Sequence, residues 1–502
     1  MRATFFYQTR SQIAVVLLPV MFGFGCTQPA MRVEPLAPEE NACLIWYQKL
    51  DKRLSDYELI DPSTAKITGV PFLRANRFLA TFRTQSLTDT AYAEWLERMR
   101  QLDASLRINE TANLPPAAVN DVLGEAPLPG SLDRVLQQCG SRLVKATLRQ
   151  PEFAPLFRQQ IQIPDAYRSW QRIAGAYWLT QFPAKLALKI LHKKLAESFT
   201  QQLDDLPVQG RLIRYAPAET RQLTANEITA MLRAAYQNPL GIPVLSGEEL
   251  GRLFNHYAPI WEIDTRNDTD KIGEAVLNDY GEPRIDTRRP VVYQNYAYTR
   301  RQGRILLQLI YQIWLPARQK SGLTDLYGGK LDSVIWRITL SPEGAPIAYD
   351  SIHACGCYYL LFPGRHYRSI SPTDGAEAVL SPKHIDDIKP GQRLLLRFES
   401  RTHYLLQTAI SAQPGKTPSI RYQTRAYDAL LSLPLPDGTR RSLFGPDGII
   451  ASSARSECFL LWPFGVPSPG AMRQWGVHAI ALTGKRYFDD PYLFEHLLAE
   501  DL

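Results

Sequence analysis

Apolar positions change their period near the middle of the chain, and that change predicts two structural halves. From Ala42 to about Tyr257 they recur every three or four residues, the spacing of helices that bury one stripe. Tyr92, Trp95, Leu96, Met99, Leu102 and Leu106 form one such stripe, with Asp89 placed to cap it. Ser131 follows Pro129 and Gly130 and opens another helix. Thr224 with Glu227, and Ser246 with Glu249, have the capping-box spacing, in which hydroxyl and carboxylate satisfy backbone N–H groups reciprocally. Tyr177 to Leu203 is long, apolar on one side and basic at Lys185, Lys189, Lys193 and Lys194. It reads as a solvated lysine face over a core stripe, in preference to a helix lying on a membrane.

Around Glu262 to Arg289 the pattern loses its period and mixes charges with Gly273, Gly281 and Pro283, which places a boundary there. Beyond it come runs rich in β-branched and aromatic residues. Val291–Tyr298 and Ile305–Trp314 flank Arg301-Gln-Gly303, and Val334–Leu340 and Ile347–Tyr349 flank Ser341-Pro-Glu-Gly344; both read as hairpins. Leu394–Phe398, Tyr404–Ile410, Ile420–Tyr427 and Leu430–Leu433 continue the series. The predicted class is α+β: a mostly helical domain followed by an antiparallel, sandwich or barrel-like, β-rich domain.

The N-terminus has its own pattern. Arg2 and Arg10 precede an apolar run from Ile13 to Gly25 that ends at Cys26, the layout of a cleaved secretory leader and too short to span a bilayer. The expected organisation is a signal peptide over 1–25, a lipidated tether over 26–41, a helical domain over 42–260, a linker over 261–289 and a β-rich domain over 290–502. The chain of 502 residues carries a net charge of +7, which falls to +5 once Arg2 and Arg10 are removed. No long Lys/Arg block appears, so no nucleic-acid partner is expected.

Export makes disulfides permissible. Cys43 shares a helical face with Tyr47, Leu50 and Leu54, and Cys139 one with Val135, Leu136 and Leu143. A Cys43–Cys139 disulfide stapling two helices is the expectation, with two buried thiols packing as small hydrophobes as its alternative.

The densest chemistry is Asp350-Ser-Ile-His353-Ala-Cys355-Gly-Cys357. On a continuous strand His353, Cys355 and Cys357 share a face. One imidazole and two thiolates suit zinc, with Cys458 or His478 as a fourth ligand and Asp350 orienting His353. The same thiols suit a disulfide with Cys458. They also suit a nucleophilic Cys activated by His353 or by a distant His403 or His478, though no catalytic residue is assigned. His366, His384 and His403 are scattered and read as surface or turn histidines. Trp462 to His478 is crowded with glycines and aromatics, and Arg473, Trp475 and His478 are its candidate ligand-binding residues. Ser468 lacks the spacing of a nucleophile elbow, and no zinc-protease, phosphate-loop or dinucleotide motif occurs.

The leader and Cys26 resemble the bacterial lipoprotein class, which implies diacylglycerol on Cys26 and an anchor of more than one acyl chain. Thr27 and Gln28 after the cysteine lean towards the outer membrane. Val334–Phe362 and Arg473–Pro491 resemble an uncharacterised proteobacterial envelope-lipoprotein family, which implies location and no reaction. The leading expectation is a periplasm-facing binding or envelope-maintenance module, anchored in the outer membrane by lipid. The second is a metal- or thiol-dependent enzyme centred on His353, Cys355 and Cys357. A third, a structural partner of an envelope protein, predicts an exposed apolar patch on the helical domain and no cleft near Trp475.

Overall fold

The structure, a computed structural model, describes residues 36–322, 324–372, 376–412 and 419–501. The leader, Cys26 and the tether as far as residue 35 lie outside the described residues. The end of the tether does not stay extended: Pro38 and the acidic Glu39 and Glu40 form the first turn of helix α1, Pro38–Asp56, as proline and negative charge favour at a helix N-terminus.

With α2 (Asp89–Ala112) and α3 (Leu132–Leu148), α1 forms a helical unit around Trp46, Tyr47, Leu50, Trp95, Met99 and Leu143. The cap of α2 is Thr88, whose hydroxyl accepts from Ala91 N, and Asp89 is the first-turn acid. Cys43 and Cys139 are joined in a disulfide with Cα atoms 5.3 Å apart. Tyr47 OH donates to the Leu136 carbonyl at 3.1 Å, which fixes the register of the stapled helices, and Trp46 Nε1 donates at 3.0 Å to the carbonyl of Val122 on the short helix Pro116–Gly124.

The helical unit is shorter than its predicted span. Its apolar core reaches only to Ile163, apart from Leu240, Ile242, Val244, Tyr298 and Ile305, and the rest of the first half packs on the β-rich half. Strand β1, Arg211–Ala216, and strand β2, Ile260–Thr265, enter a sheet; helices α5, Ala225–Ala235, and α6, Gly247–Tyr257, carry the two capping boxes and cover its neighbour. (α4 is the Tyr177–Phe199 helix described below.) The predicted linker is therefore corrected. Its first residues are the buried strand β2, and Glu274–Leu277 pairs with Pro283–Asp286 as a hairpin.

The other strands of the two large sheets are β3 (Val291–Arg301), β4 (Arg304–Arg318), β5 (Gly329–Leu340), β6 (Pro346–His353), β7 (Leu360–Pro363), β8 (Gln392–Phe398), β9 (Leu405–Ala412), β10 (Ser419–Arg421) and β11 (Gln423–Ala426). They make two open sheets, in the orders β7-β6-β5-β4-β3-β11 and β9-β8-β2-β1-β10. Side chains from both sheets meet in one apolar core that includes Trp261, Ile313, Trp336, Leu396 and Phe398, so the β-rich half is a sandwich and not a barrel. Gln302 and Gly303 both have positive φ at the β3–β4 turn, the conformation that matches strand twist in a two-residue hairpin.

Three strand pairs are parallel: β8 with β2, β10 with β1, and β11 with β3. The other pairs in both sheets are antiparallel; two of the parallel ones arise because β1 and β2 arrive from the first half and are joined by strands made much later. Leu430–Leu433 is mostly a 3-10 turn, Tyr427–Leu431. From there to the C-terminus the chain is largely irregular and lies over the outer face of the six-stranded sheet, against Ile310, Ile335 and Ile352.

Candidate functional site

Strand β6 ends at His353. Gly356 N donates to the His353 carbonyl at 2.8 Å and His353 N to that of Cys357 at 3.0 Å, which closes a turn. Gly356 has φ +90°, and a Cβ there would stand 2.2 Å from the Ala479 oxygen, so only glycine fits. The turn overrides the continuous strand expected from the sequence, and His353 does not share a face with the two thiols. Cys355, Cys357 and Cys458 are all free, which also corrects the disulfide alternative.

On β6, residues 349, 351 and 353 face the sandwich core and 350, 352 and 354 the opposite side. Asp350 therefore cannot orient His353. It pairs across the strand with Arg337, with Nε to Oδ1 at 2.8 Å, and accepts from Tyr359 OH at 3.1 Å. His353 instead meets Asp332, because its register partner is Val334 and Asp332 lies two residues along the same face.

Asp332 is fully buried and collects His403 Nδ1 at 2.8 Å, Arg455 Nη2 at 3.2 Å and His353 Nδ1 at 3.3 Å. His403 Nε2 lies 3.2 Å from Asp270, whose carboxylate also accepts from Arg401 N and Arg266 N. Burial opposes charge on His403, but two carboxylates on its two nitrogens raise it above the ordinary imidazole range. Burial likewise opposes charge on Asp332, and His353 and Arg455 hold it well below the carboxylate range. With Asp270 and Asp332 negative and His403 and Arg455 positive, the cluster is balanced. The supporting turn is strained, with Arg401 at φ +68° and His403 at φ +53°. His403 is a turn residue as expected, but an interior one.

Above this cluster lies a cavity of about 350 Å³. Cys355, Gly356, Cys357 and Tyr358 form its floor, with Tyr404 and Glu457 beside them. Its roof is α4, which contributes Ala184, Leu188, Leu191, His192 and Leu195. Helix α4 is tied at its ends. Tyr177 OH accepts from Gly484 N at 2.7 Å, and Ser198 donates to the Leu406 carbonyl at 2.7 Å while Phe199 packs on Phe362. Of its side chains only Leu195 and Phe199 are fully buried, so α4 bridges the cavity without being embedded.

Burial disfavours the charged forms of His192, Glu377 and Glu457 in the walls, and among the described residues Arg486 alone brings a guanidinium to the lining, where it donates to the Glu377 carbonyl at 2.8 Å. Cys357 donates its S–H to Cys355, which raises Cys357 far above the thiol range and lowers Cys355. Arg318 stays outside the cavity lining, donating to Tyr358 OH at 3.3 Å and Tyr404 OH at 3.1 Å.

Comparison of the chain with known protein families, curated proteins and solved structures finds no match. Function must be read from the site itself.

The remaining candidates separate. Arg473 is buried and donates to the carbonyls of Cys355 at 3.1 Å and Ser468 at 2.9 Å, so it braces the thiol turn. His478 is buried against Trp475 and Phe488. Only Trp475 lines open space, a cleft of about 440 Å³ between the helical unit and the C-terminal segment. Among the described residues no group of three or more His, Cys, Asp or Glu side chains is placed to hold a metal ion. The zinc set of His353, Cys355, Cys357 and Cys458 is corrected on that ground, since His353 Nδ1 faces Asp332 and Nε2 the His403 carbonyl at 3.1 Å. Sequence reasoning missed Asp332, Asp270, Arg455 and Arg318, which carry no local motif.

Two neutral histidines set an acid limit on the fold. Burial, aided by Arg393, holds His256 at about 4, and its Nδ1 accepts from Leu223 N at 3.2 Å; burial, aided by Arg473, holds His478 at about 3. An unfolded imidazole titrates near 6.5, so unfolding takes up protons below that pH and stability falls as pH drops from about 6.5 towards 4. The urea midpoint is expected to decrease over that window, and to decrease less in His478→Gln.

Proposed function

We propose that the chain is a lipid-anchored, periplasm-facing envelope protein that holds an uncharged apolar ligand in the cavity beneath α4. The observation that carries this reading is the cavity wall: an apolar face of α4 above, Leu360, Val379, Leu380 and Ile480 around it, and titratable groups whose burial disfavours charge. A charged ligand would lose its hydration there with only the Arg486 guanidinium, already donating to the Glu377 carbonyl, to meet it, whereas an acyl chain or an aromatic ring loses only contact with water. The volume falls at the lower end of the range for small-molecule sites. Two larger clefts, of about 480 and 440 Å³, lie against the helical unit and contact neither the thiols nor α4. The address rests on the apolar leader that ends at Cys26.

Titration with the apolar fluorophore N-phenylnaphthylamine tests the cavity. Ala184→Phe and Leu188→Trp fill it from the roof and are expected to weaken binding about tenfold or more, with circular dichroism unchanged. Absence of wild-type binding, or binding unaffected by both fillers, would overturn the reading. Cys26→Ser is expected to abolish incorporation of an alkyne-tagged fatty acid; retained incorporation would remove the anchor from the proposal.

The second reading, a thiol-dependent enzyme, is favoured by one observation: the lowered thiol of Cys355 lines this cavity together with Cys357. Faster alkylation of Cys355 than of Cys458 by iodoacetamide at neutral pH would support it, and equal rates would not.

A further inference from the structure

Helix α4 has a second apolar face, and it points away from the protein. Trp178, Phe182, Leu186 and Ile190 recur every four residues, which places them in one line along the helix. All four are exposed, Phe182 and Trp178 each to 66 %. The elements beside α4 continue the surface. Helix Ser169–Ala174 exposes Trp170 and Ile173, the latter to 81 %, and the short helix Cys458–Leu461 exposes Phe459 and Leu460. The turn Trp462–Phe464 joins them, with Tyr177 against Phe464, ring centroids 6.2 Å apart, and Gly175 packed so close to Pro463 that an added Cβ would stand 2.4 Å away. The predicted lysine face over a core stripe is thereby corrected. The core stripe lines the cavity, and the outer face is apolar as well as basic. A patch of this kind on a folded chain marks a contact surface.

Charge decides what covers it. Between Asp165 and Glu197 the chain has no acidic residue, while Arg168, Arg172, Lys185, Lys189, Lys193 and Lys194 all fall in that stretch. Lys189, Lys193 and Lys194 lie at helical positions on the outward side with Leu186 and Ile190. A second copy of the chain docked about a two-fold axis would set these cations against themselves. A bilayer surface with anionic headgroups meets both demands, apolar side chains entering the acyl boundary and lysines resting among phosphates. No described helix is long and apolar enough to cross a membrane, so the contact lies along the surface.

We propose that the outer face of α4, with Trp170, Ile173, Phe459 and Leu460 beside it, is a membrane-surface contact selective for anionic phospholipid. It acts in addition to lipid on Cys26. It stands without the cavity reading, and the cavity-filling variants test that reading in the absence of any membrane.

Amide hydrogen exchange of the full-length protein, with vesicles of phosphatidylcholine alone or containing phosphatidylglycerol, reads the contact at the helix itself, whatever the N-terminus does. Peptides covering residues 169–194 are expected to exchange about tenfold more slowly on phosphatidylglycerol vesicles and much less so on phosphatidylcholine alone. Phe182→Glu/Leu186→Glu/Ile190→Glu is expected to remove the protection, and Lys189→Glu/Lys193→Glu/Lys194→Glu to remove the preference for the anionic lipid. Both variants replace exposed side chains, and an unchanged circular dichroism spectrum and urea midpoint show that the fold is intact. Protection absent on both vesicles, or unchanged in the first variant, would overturn the proposal. So would protection that appears without vesicles as protein concentration rises, because it would assign the face to a second copy.

Discussion

Replacing Cys43 and Cys139 together by serine is expected to destabilise the helical unit by about 4–5 kcal/mol, the scale for a bridge that closes a loop of nearly a hundred residues. The two cysteines are 96 residues apart, so the open chain regains a large ensemble that the bridge denies it. The helices keep their other ties, Trp46 to Val122 and Tyr47 to Leu136, and the native unit should still form at low temperature. Trp46 and Trp95 report its unfolding in urea. The expected result is an early transition of those tryptophans in the variant, reproduced in the wild type by a thiol reductant. Unchanged midpoints in both would show that helix packing alone holds α1 to α3.

Asp332→Asn is expected to cost about 3–5 kcal/mol, the range for breaking a buried ion pair by removing one partner. Its shape is conserved, so the loss comes from charge. Arg455 and a protonated His403 remain in the interior with only Asp270 to balance them. The strained turn from Ser400 to Tyr404 loses the carboxylate that faces His403, and with it the support for Tyr404 at the cavity wall. Global unfolding in urea measures the loss, and His403→Gln in the same background should restore part of it by removing the uncompensated proton. If Asp332→Asn unfolds at the wild-type midpoint, the cluster is not a balanced set of charges.

Much of the local structure is readable from the chain, because it depends on spacing within a few residues. The stripe from Tyr92 to Leu106, both capping boxes, the Gln302–Gly303 turn and the facing cysteines of two helices are of this kind. Strand β2 is not. Ile260-Trp-Glu-Ile-Asp-Thr265 looks like mixed linker because Glu262 and Asp264 interrupt it. Both are buried in the fold: Glu262 lies between Arg214 and Arg397, and Asp264 accepts from Gln209 N and Gly210 N. Those partners are remote in sequence or on the backbone, so no pattern announces them.

The site divides in the same way. His353, Cys355 and Cys357 stood out, and two of them do face the cavity, but Gly356 as a turn residue outweighed the strand period. The odd spacing between Asp350 and His353 already placed them on opposite faces. Asp332 could be found only by knowing which strand lies beside β6 and in what register. The outward apolar line of α4 was visible as residues, yet helical periodicity cannot say which of two apolar faces meets the protein.

The way β2 is paired has a consequence for how the protein is made. Ile260 sits beside Leu395 in the finished sheet, so a growing chain that has paired β2 with β1 must keep the other edge of β2 unmatched through the five strands β3 to β7 before β8 emerges. Cutting the gene at the apparent boundary near residue 260 or 289 would leave two fragments, each with an open sheet edge and neither with a closed interior. Until β8 arrives such an edge invites pairing with other chains, so the nascent protein is most exposed to misassembly over that stretch of its synthesis.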